Sequence, residues 1–135
     1  MFNGDAMQLL QQYKKRQDEF NRLKTEGFKD EAQKQEYIEY FSIIKETFNR
    51  LYSYTGHEFA KKKTKYSHCS GRVYSVILLH YYIKRDFTPN FQTISPILKK
   101  SIGFTIASTT FTKCKAEAVI VFSNILNKVI EVRKK

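Results

Sequence analysis

Residues 93–115 read TISPILKKSIGFTIASTTFTKCK, and this stretch decides the fold. The pair Ser95-Pro96 predicts an N-cap followed by proline in the first helical position, which opens a short helix through Lys100. Gly103 is expected to break that helix, because glycine readily adopts the backbone conformations that end helices. A second helix follows, so the stretch predicts a helix-turn-helix arrangement.

The second helix of this pair is expected to begin at Thr105 or Ser108 and to continue to the C-terminus. Residues 116–122 are rich enough in apolar side chains to suggest a strand, but a helical spacing of three and four residues is sustained beyond them. The apolar residues with this spacing are Cys114, Ala118, Phe122, Ile125, Val129 and Val132.

The first half of the chain predicts two helices. The first runs from a possible N-cap at Asp5 to Gly27, and the second from about Lys29 to Tyr54. Two long helices with a short connection form an antiparallel hairpin. The second helix has an apolar stripe that consists of Tyr37, Phe41, Ile44, Phe48 and Leu51. We expect this stripe either to form a homodimer interface or to support the second half of the chain from within.

Between the hairpin and the final pair lies a segment from Gly71 to Asp86 that is dense in apolar and aromatic residues. Its length and the spacing of Val73 and Ile77 favour a helix over a buried strand. The fold class is therefore all-α, with an N-terminal antiparallel helical hairpin followed by a basic, helix-turn-helix-type helical domain.

Charge divides the chain into the same two regions. Residues 1–57 contain nine basic and nine acidic side chains, whereas residues 58–135 contain fifteen basic and four acidic ones, which gives the whole net charge of +11. We therefore predict a charge-neutral helical hairpin over 1–57 and a DNA-binding domain over 58–135. A concentrated positive charge attracts a polyanion or an anionic surface.

Composition narrows the remaining function classes. Neither Cys69 nor Cys114 belongs to a CxxC pair, so we expect two reduced cysteines, no metal site and no cofactor. No signal peptide is evident, and the apolar run 73–83 is shorter than the ~20 residues of a membrane span, which predicts a cytoplasmic protein without a membrane partner. No cluster of residues suggests catalysis or a small-molecule substrate, and the tyrosines are expected to pack in the core.

The candidate DNA-binding residues are short hydroxyl residues and lysines. Hydroxyls at the start of a helix let the backbone approach DNA and can donate to phosphates or base edges, while lysines neutralise phosphates. Those of the helix pair are Thr105, Ser108, Thr109, Thr110, Lys99, Lys100 and Lys113. A second group, Lys61, Lys62, Lys63 and Lys65, is expected to form a basic arm on the phosphate backbone, the alternative being a solvated loop.

From Lys61 onward the chain resembles the C-terminal DNA-binding domain of the bacterial replication initiator DnaA. Ile102-Gly103 corresponds to the Phe-Gly of that family's turn, and residues 107–111 correspond to its Asp-His-Thr-Thr-Val motif. The family's Asp-His pair is Ala107-Ser108 here, and its arginine in the preceding helix falls near Ile77, so recognition of origin sequences is not implied. The resemblance implies the fold and a DNA-facing role for Thr109 and Thr110.

Two functions of different classes follow from these patterns. The first is a small DNA-binding protein of a mobile element, acting in replication or transcription, with double-stranded DNA as its partner. The second is a protein-interaction module, an inhibitor or adaptor whose basic face binds an acidic protein. Binding to RNA is compatible with the charge, but no aromatic-rich motif supports it.

Overall fold

The computed structural model describes residues 6–54, 70–84, 87–103 and 105–134. Every regular element among them is helical, which confirms the all-α prediction. The elements are α1 (Ala6–Gln11), α2 (Tyr13–Glu26), α3 (Glu31–Tyr52), α4 (Gly71–Leu78), a π-helical segment (Leu79–Lys84), α5 (Phe91–Ile102) and α6 (Ser108–Lys134).

The predicted first helix is two helices that meet at Gln12. Hydrogen bonds continue across the break, from the Gln12 amide to the Gln8 carbonyl and from the Arg16 amide to the Gln12 carbonyl. Helix α1 buries Leu9 and Leu10 and packs on α6, whereas α2 packs on α3. The break therefore lets successive turns of the chain face different partners. Asp5, the expected N-cap, lies outside the described residues.

Helices α2 and α3 form the predicted antiparallel hairpin, and aromatic rings join them. The Tyr13 ring lies 5.5 Å from that of Phe41, and the Phe20 ring lies 5.8 Å from that of Tyr37, centroid to centroid. Residue numbers therefore increase along α2 in the direction in which they decrease along α3, so the two helices are antiparallel. The turn uses Gly27, whose φ of +102° favours glycine, and Asp30, whose carboxylate accepts a 2.8 Å hydrogen bond from the Gln33 amide.

One hydrophobic core joins the charge-neutral and the basic regions. Helix α6 packs on α1, α3 and α4, and the rings of Phe48 and Phe122 meet at 5.2 Å between centroids. The predicted stripe of α6 is buried from Cys114 to Val129, although Val132 is 62% exposed. The change in charge near residue 57 is thus not a boundary between two separate cores in the part of the chain described.

The apolar stripe of α3 supports the chain from within. Ile44, Phe48 and Leu51 are 2%, 9% and 0% exposed, so none of them forms an accessible dimer interface. Tyr37 and Phe41 are half-buried against α2. Of the two roles predicted for the stripe, intramolecular support is the one that the burial favours, and α3 buries Tyr40 and Ile43 beside it.

The short helix of the final pair begins earlier than predicted. Asn90, not Ser95, is its N-cap: the Asn90 side chain accepts from the Thr93 amide and the Thr93 hydroxyl accepts from the Asn90 amide, both at 2.9 Å. This capping box satisfies two backbone donors at once. Pro96 lies inside α5, where it removes one backbone donor. The prediction that Ser95-Pro96 opens the helix is wrong.

The segment from Gly71 is helical as predicted, with Val73 and Ile77 buried. Its second part, Leu79–Lys84, is a π-helix, which the spacing of apolar residues does not predict. The wider turn places His80 in the core, where its ring stacks on Phe87 at 5.3 Å.

Candidate nucleic-acid interface

Residues 103–107 connect α5 to α6. Gly103 ends α5 with a left-handed conformation (φ +85°), and its amide donates to the Lys99 carbonyl at 2.8 Å, as the sequence predicts. Ile106 is 2% exposed and anchors the turn in the core. The rings of Phe91 and Phe111 contact each other edge to face at 5.5 Å and join the two helices.

The start of α6 has one exposed and one buried face. Thr105 in the turn and Ser108, Thr109 and Lys113 on the helix are exposed, so four of the predicted residues lie on the accessible side. Thr112 is also exposed, and its hydroxyl donates to the Ser108 carbonyl at 3.1 Å. Together Ser108, Thr109, Thr112 and Lys113 are the α6 face.

Thr110 does not belong to the α6 face. It is only 7% exposed and lies four residues before the buried Cys114, on the core side of the helix. Its predicted role in contacting DNA is therefore wrong for this fold, because a side chain on that side cannot reach a groove. Thr109, its neighbour, keeps the exposed position.

The first turn of α6 also offers backbone donors. Ala107 is in the N-cap position, since its carbonyl accepts from the Phe111 amide at 2.9 Å. A methyl side chain cannot accept a hydrogen bond, so Ala107 does not cap the amides of the first turn. Such amides and the positive end of the helix dipole favour an anion.

Lys99 and Lys100 are exposed in the last turn of α5, one short turn of chain before the α6 face. Arg72, at the start of α4, contacts the backbone of the same turn of α5. Its Nη1 donates to the Ser101 carbonyl at 3.2 Å and its Nε donates to the Tyr52 hydroxyl at 3.0 Å. The guanidinium lies 5.4 Å from the centre of the Tyr52 ring.

Arg72 is a candidate residue that the sequence pattern does not predict. It carries charge in the basic region, but its place beside α5 depends on contacts between residues 20 and 29 positions apart. Its only sequence signal is its position directly after Gly71. Arg72, Lys99 and Lys100 together are named the flanking basic cluster.

Other basic side chains have structural partners. The Lys115 ammonium lies 4.0 Å from the centre of the Tyr81 ring. Arg133 donates to the Ser42 hydroxyl at 2.9 Å and pairs with Glu46 at 3.5 Å, which links α6 to the acidic residues of α3. The predicted arm, Lys61, Lys62, Lys63 and Lys65, lies outside the described residues.

The perturbed pKa values of the described residues belong to tyrosines outside this surface. Burial raises the pKa of Tyr40 far above its usual value, and it also raises the pKa of Tyr13 and Tyr82. The pKa of Tyr37 is raised by burial first and then by its hydrogen bond to Glu19. These shifts reflect packing, chiefly of the hairpin and the π-helical segment.

Two further features concern metals and membranes. In the described ranges, no three His, Cys, Asp or Glu side chains are grouped so that they could hold a metal ion, and Cys114 is a buried free thiol. The same ranges contain no helix with the length and apolar character needed to cross a membrane.

Comparison with protein-family models, curated proteins and solved structures found no match to this chain.

Proposed function

We propose that the chain is a small, non-enzymatic DNA-binding protein in which the start of α6 enters the major groove of a duplex. The observation that carries the proposal is the α6 face, where Ser108, Thr109 and Lys113 are exposed on a helix whose other side is buried. A helix fixed to a core by one side and presented N-terminus first is how helix-turn-helix proteins read DNA.

The chemistry of the surface suits a duplex. Short hydroxyl side chains allow close approach and donate to phosphates or base edges, and Lys113 adds a charge one turn further along. The flanking basic cluster supplies phosphate contacts on the α5 side. The net charge of +11 further favours association with a polyanion.

The proposal also covers the basic arm, the cellular compartment and the biological source of the protein. The arm lysines, Lys61, Lys62, Lys63 and Lys65, would neutralise phosphates of the same duplex. The setting would be the cytoplasm, in the replication or transcription of a mobile element, an origin suggested by the abundance of Lys, Asn, Ile and Phe in the sequence. A homodimer through the α3 stripe is not part of the proposal, because Ile44, Phe48 and Leu51 are buried within the chain.

Fluorescence anisotropy of a labelled duplex of random sequence, titrated at several salt concentrations, tests the proposal. A DNA-binding protein must lose affinity log-linearly with salt, with a slope set by the number of phosphates it neutralises. A single-stranded RNA of the same length is the comparison for nucleic-acid type. If no duplex binds even at low salt, the proposal fails and an acidic protein partner becomes the better hypothesis.

The exchange Thr109→Glu tests the α6 face itself. A carboxylate at this position would oppose the phosphates, so we expect affinity to fall by several kcal/mol while the melting temperature is unchanged, since the site is exposed. Thr25→Glu, at an exposed site in α2, makes the same charge change far along the chain and is the control. Equal losses in both variants would show a general charge effect, with no specific contact between the α6 face and DNA.

A further inference from the structure

A groove of about 400 Å³ lies between the start of α2, the middle of α3 and the π-helical segment. Buried Ile44 and Phe48 form its floor, and its half-buried walls include Tyr13, Phe41, Leu79 and Ile83. Small-molecule sites typically have volumes of roughly 300–1,000 Å³ and mostly apolar walls with a few polar groups. The groove has both properties.

The first polar group of the groove is an unsatisfied hydroxyl. Ser75, a lining residue from α4, is 2% exposed, and its Oγ has no hydrogen-bond partner among the described residues. Buried hydroxyls are nearly always paired in folded proteins. The Ser75 Oγ itself is almost inaccessible, so a rotation about χ1 would turn it toward the groove, where a ligand oxygen can form the missing bond.

The second polar feature is at the rim. Lys45 and Asn49 line the groove from α3, are exposed, and lie one helical turn apart. Lys45 forms no ion pair with any residue in the described part of the chain. An ammonium and an amide at the edge of an aromatic-lined groove favour a carboxylate at that edge.

We propose that this groove binds a small aromatic monocarboxylate that carries a second oxygen remote from the carboxylate. The carboxylate accepts from the Lys45 ammonium and the Asn49 amide. The ring packs on Phe41, Phe48 and Tyr13, and the remote oxygen pairs with the Ser75 hydroxyl.

The same groove is connected to the flanking basic cluster through Tyr52. This half-exposed tyrosine lines the groove, and it also accepts the Arg72 Nε–H and faces the Arg72 guanidinium. A ligand that repositions Tyr52 therefore repositions a member of the flanking basic cluster. The regulatory meaning of this connection rests on the proposed function, but binding to the groove does not.

Calorimetric titration of the full chain with 3-(4-hydroxyphenyl)propionate, without DNA, tests the site. We expect saturable binding that is weakened at least tenfold by Lys45→Glu and by Asn49→Trp, which places an indole across the mouth from an exposed position. Lys34→Glu makes the same charge change at an exposed position of α3 outside the groove lining and should leave binding unchanged. Absence of saturable binding, or equal weakening in the Lys34 variant, overturns the proposal.

The unsubstituted analogue 3-phenylpropionate tests the hydroxyl of Ser75. The natural chain should bind 3-phenylpropionate more weakly than the hydroxylated probe. The Ser75→Ala variant should bind the two probes equally well, because it lacks the hydroxyl that pairs with the probe's second oxygen. A preference that survives in Ser75→Ala overturns the assigned role of Ser75.

Nuclear magnetic resonance of the Arg72 Nε–H tests the connection without DNA. Saturation with the hydroxylated probe should shift this resonance in the natural chain and leave it in place in Asn49→Trp. A bound probe with an unshifted Arg72 signal overturns the connection through Tyr52. Because neither readout uses a duplex, failure of this site and failure of DNA binding are separate results.

Discussion

Gly71, the first residue of α4, packs against the backbone at and just beyond the end of α3. A Cβ placed there would lie 1.9 Å from the Leu51 carbonyl oxygen and 2.7 Å from that of Tyr54, both backbone atoms. Its amide also donates to the Tyr54 carbonyl at 2.9 Å. Backbone atoms cannot relieve a clash by changing rotamer as a side chain can. We therefore expect Gly71→Ala to lower the free energy of unfolding by about 3 kcal/mol in urea denaturation.

Gly27 and Gly103 provide the controls for this prediction. Each has a positive φ, but a Cβ added at either position would have no neighbouring atom within 4 Å, so alanine there meets strain without a clash. We expect Gly27→Ala and Gly103→Ala to cost about 1 kcal/mol each. A loss at Gly71 no larger than these would show that α4 can move away from α3 at little cost.

Thr109 and Thr110 show what the sequence predicts of single residues. The short hydroxyls at the start of α6 could be found from sequence, and Ser108 and Thr109 are exposed as expected. The inward position of Thr110 could also have been predicted from the sequence, because the spacing of buried residues in α6 extends back four residues from Cys114 to Thr110. The role of Arg72 could not have been predicted, since it depends on contacts with two distant segments.

At the scale of elements, one hydrogen bond ties α1 to α3. The buried Tyr40 hydroxyl donates to the Leu9 carbonyl, and the Arg16 guanidinium lies 4.5 Å from the centre of the same ring. Burial raises the pKa of Tyr40 above its ordinary value of 10.0. The neutral form is thus favoured in the folded chain, and its contribution to stability is complete below pH 10 and is lost as the pH rises above it.

We therefore expect Tyr40→Phe to change the pH dependence of stability. The variant should lose about 1 kcal/mol near neutral pH, where the hydrogen bond is missing, and its stability should then fall less steeply above pH 10. Urea denaturation on both sides of pH 10 measures the two slopes. Some slope will persist, because the pKa values of Tyr13, Tyr37 and Tyr82 are also raised. Identical slopes in the two proteins would contradict the prediction.

Helix existence could be predicted from the sequence better than helix boundaries. The spacing of apolar residues located α3 and α6 because each is a long amphipathic helix. It did not locate the start of α5, where two capping patterns compete and the reciprocal Asn90–Thr93 box wins over Ser95-Pro96. The break at Gln12 and the π-helical turn after Leu78 were not predicted, because apolar residues spaced three and four apart are equally compatible with an uninterrupted α-helix.

At the scale of the whole molecule, the shared core predicts that the two charge regions unfold together. The pair Ile44→Asp and Phe48→Asp would bury two carboxylates beside Phe122, and we expect a loss of more than about 4 kcal/mol and no folded α6. Circular dichroism measures the lost helix. Ile38→Asp, at a 41% exposed site of α3, should change stability by no more than about 0.5 kcal/mol. A double variant that keeps α6 folded would show two independent units.

The distribution of charge separates the chain near residue 57, whereas the hydrophobic core joins the two regions. The charge distribution can be counted from the sequence, but the shared core cannot be predicted from it. The contacts that unite the regions join residues far apart in the chain, such as Phe48 with Phe122 and Glu46 with Arg133. No local pattern indicates such pairs. The predicted boundary at residue 57 therefore describes the electrostatics of the chain and not its core.

The position of charge, rather than its amount, should control the affinity for DNA. Replacing the four lysines of the arm with glutamine should weaken binding to all duplexes about equally and lower the salt slope by up to about 3.6, since each phosphate contact contributes ~0.9. The variant carries Lys61, Lys62, Lys63 and Lys65 as glutamine. The control removes four charges from the neutral hairpin instead, at Lys14, Lys15, Lys29 and Lys34, which are all exposed.

The two quadruple variants have the same net charge, so anisotropy titrations across salt separate the effect of location from that of total charge. The arm variant should show the smaller slope, and the hairpin variant should keep nearly the slope of the natural chain. Equal slopes would mean that the arm contacts no phosphates and that the protein attracts DNA only through its overall field. A loss confined to one DNA sequence would mean that the arm reads bases, because phosphate contacts carry no sequence information of their own.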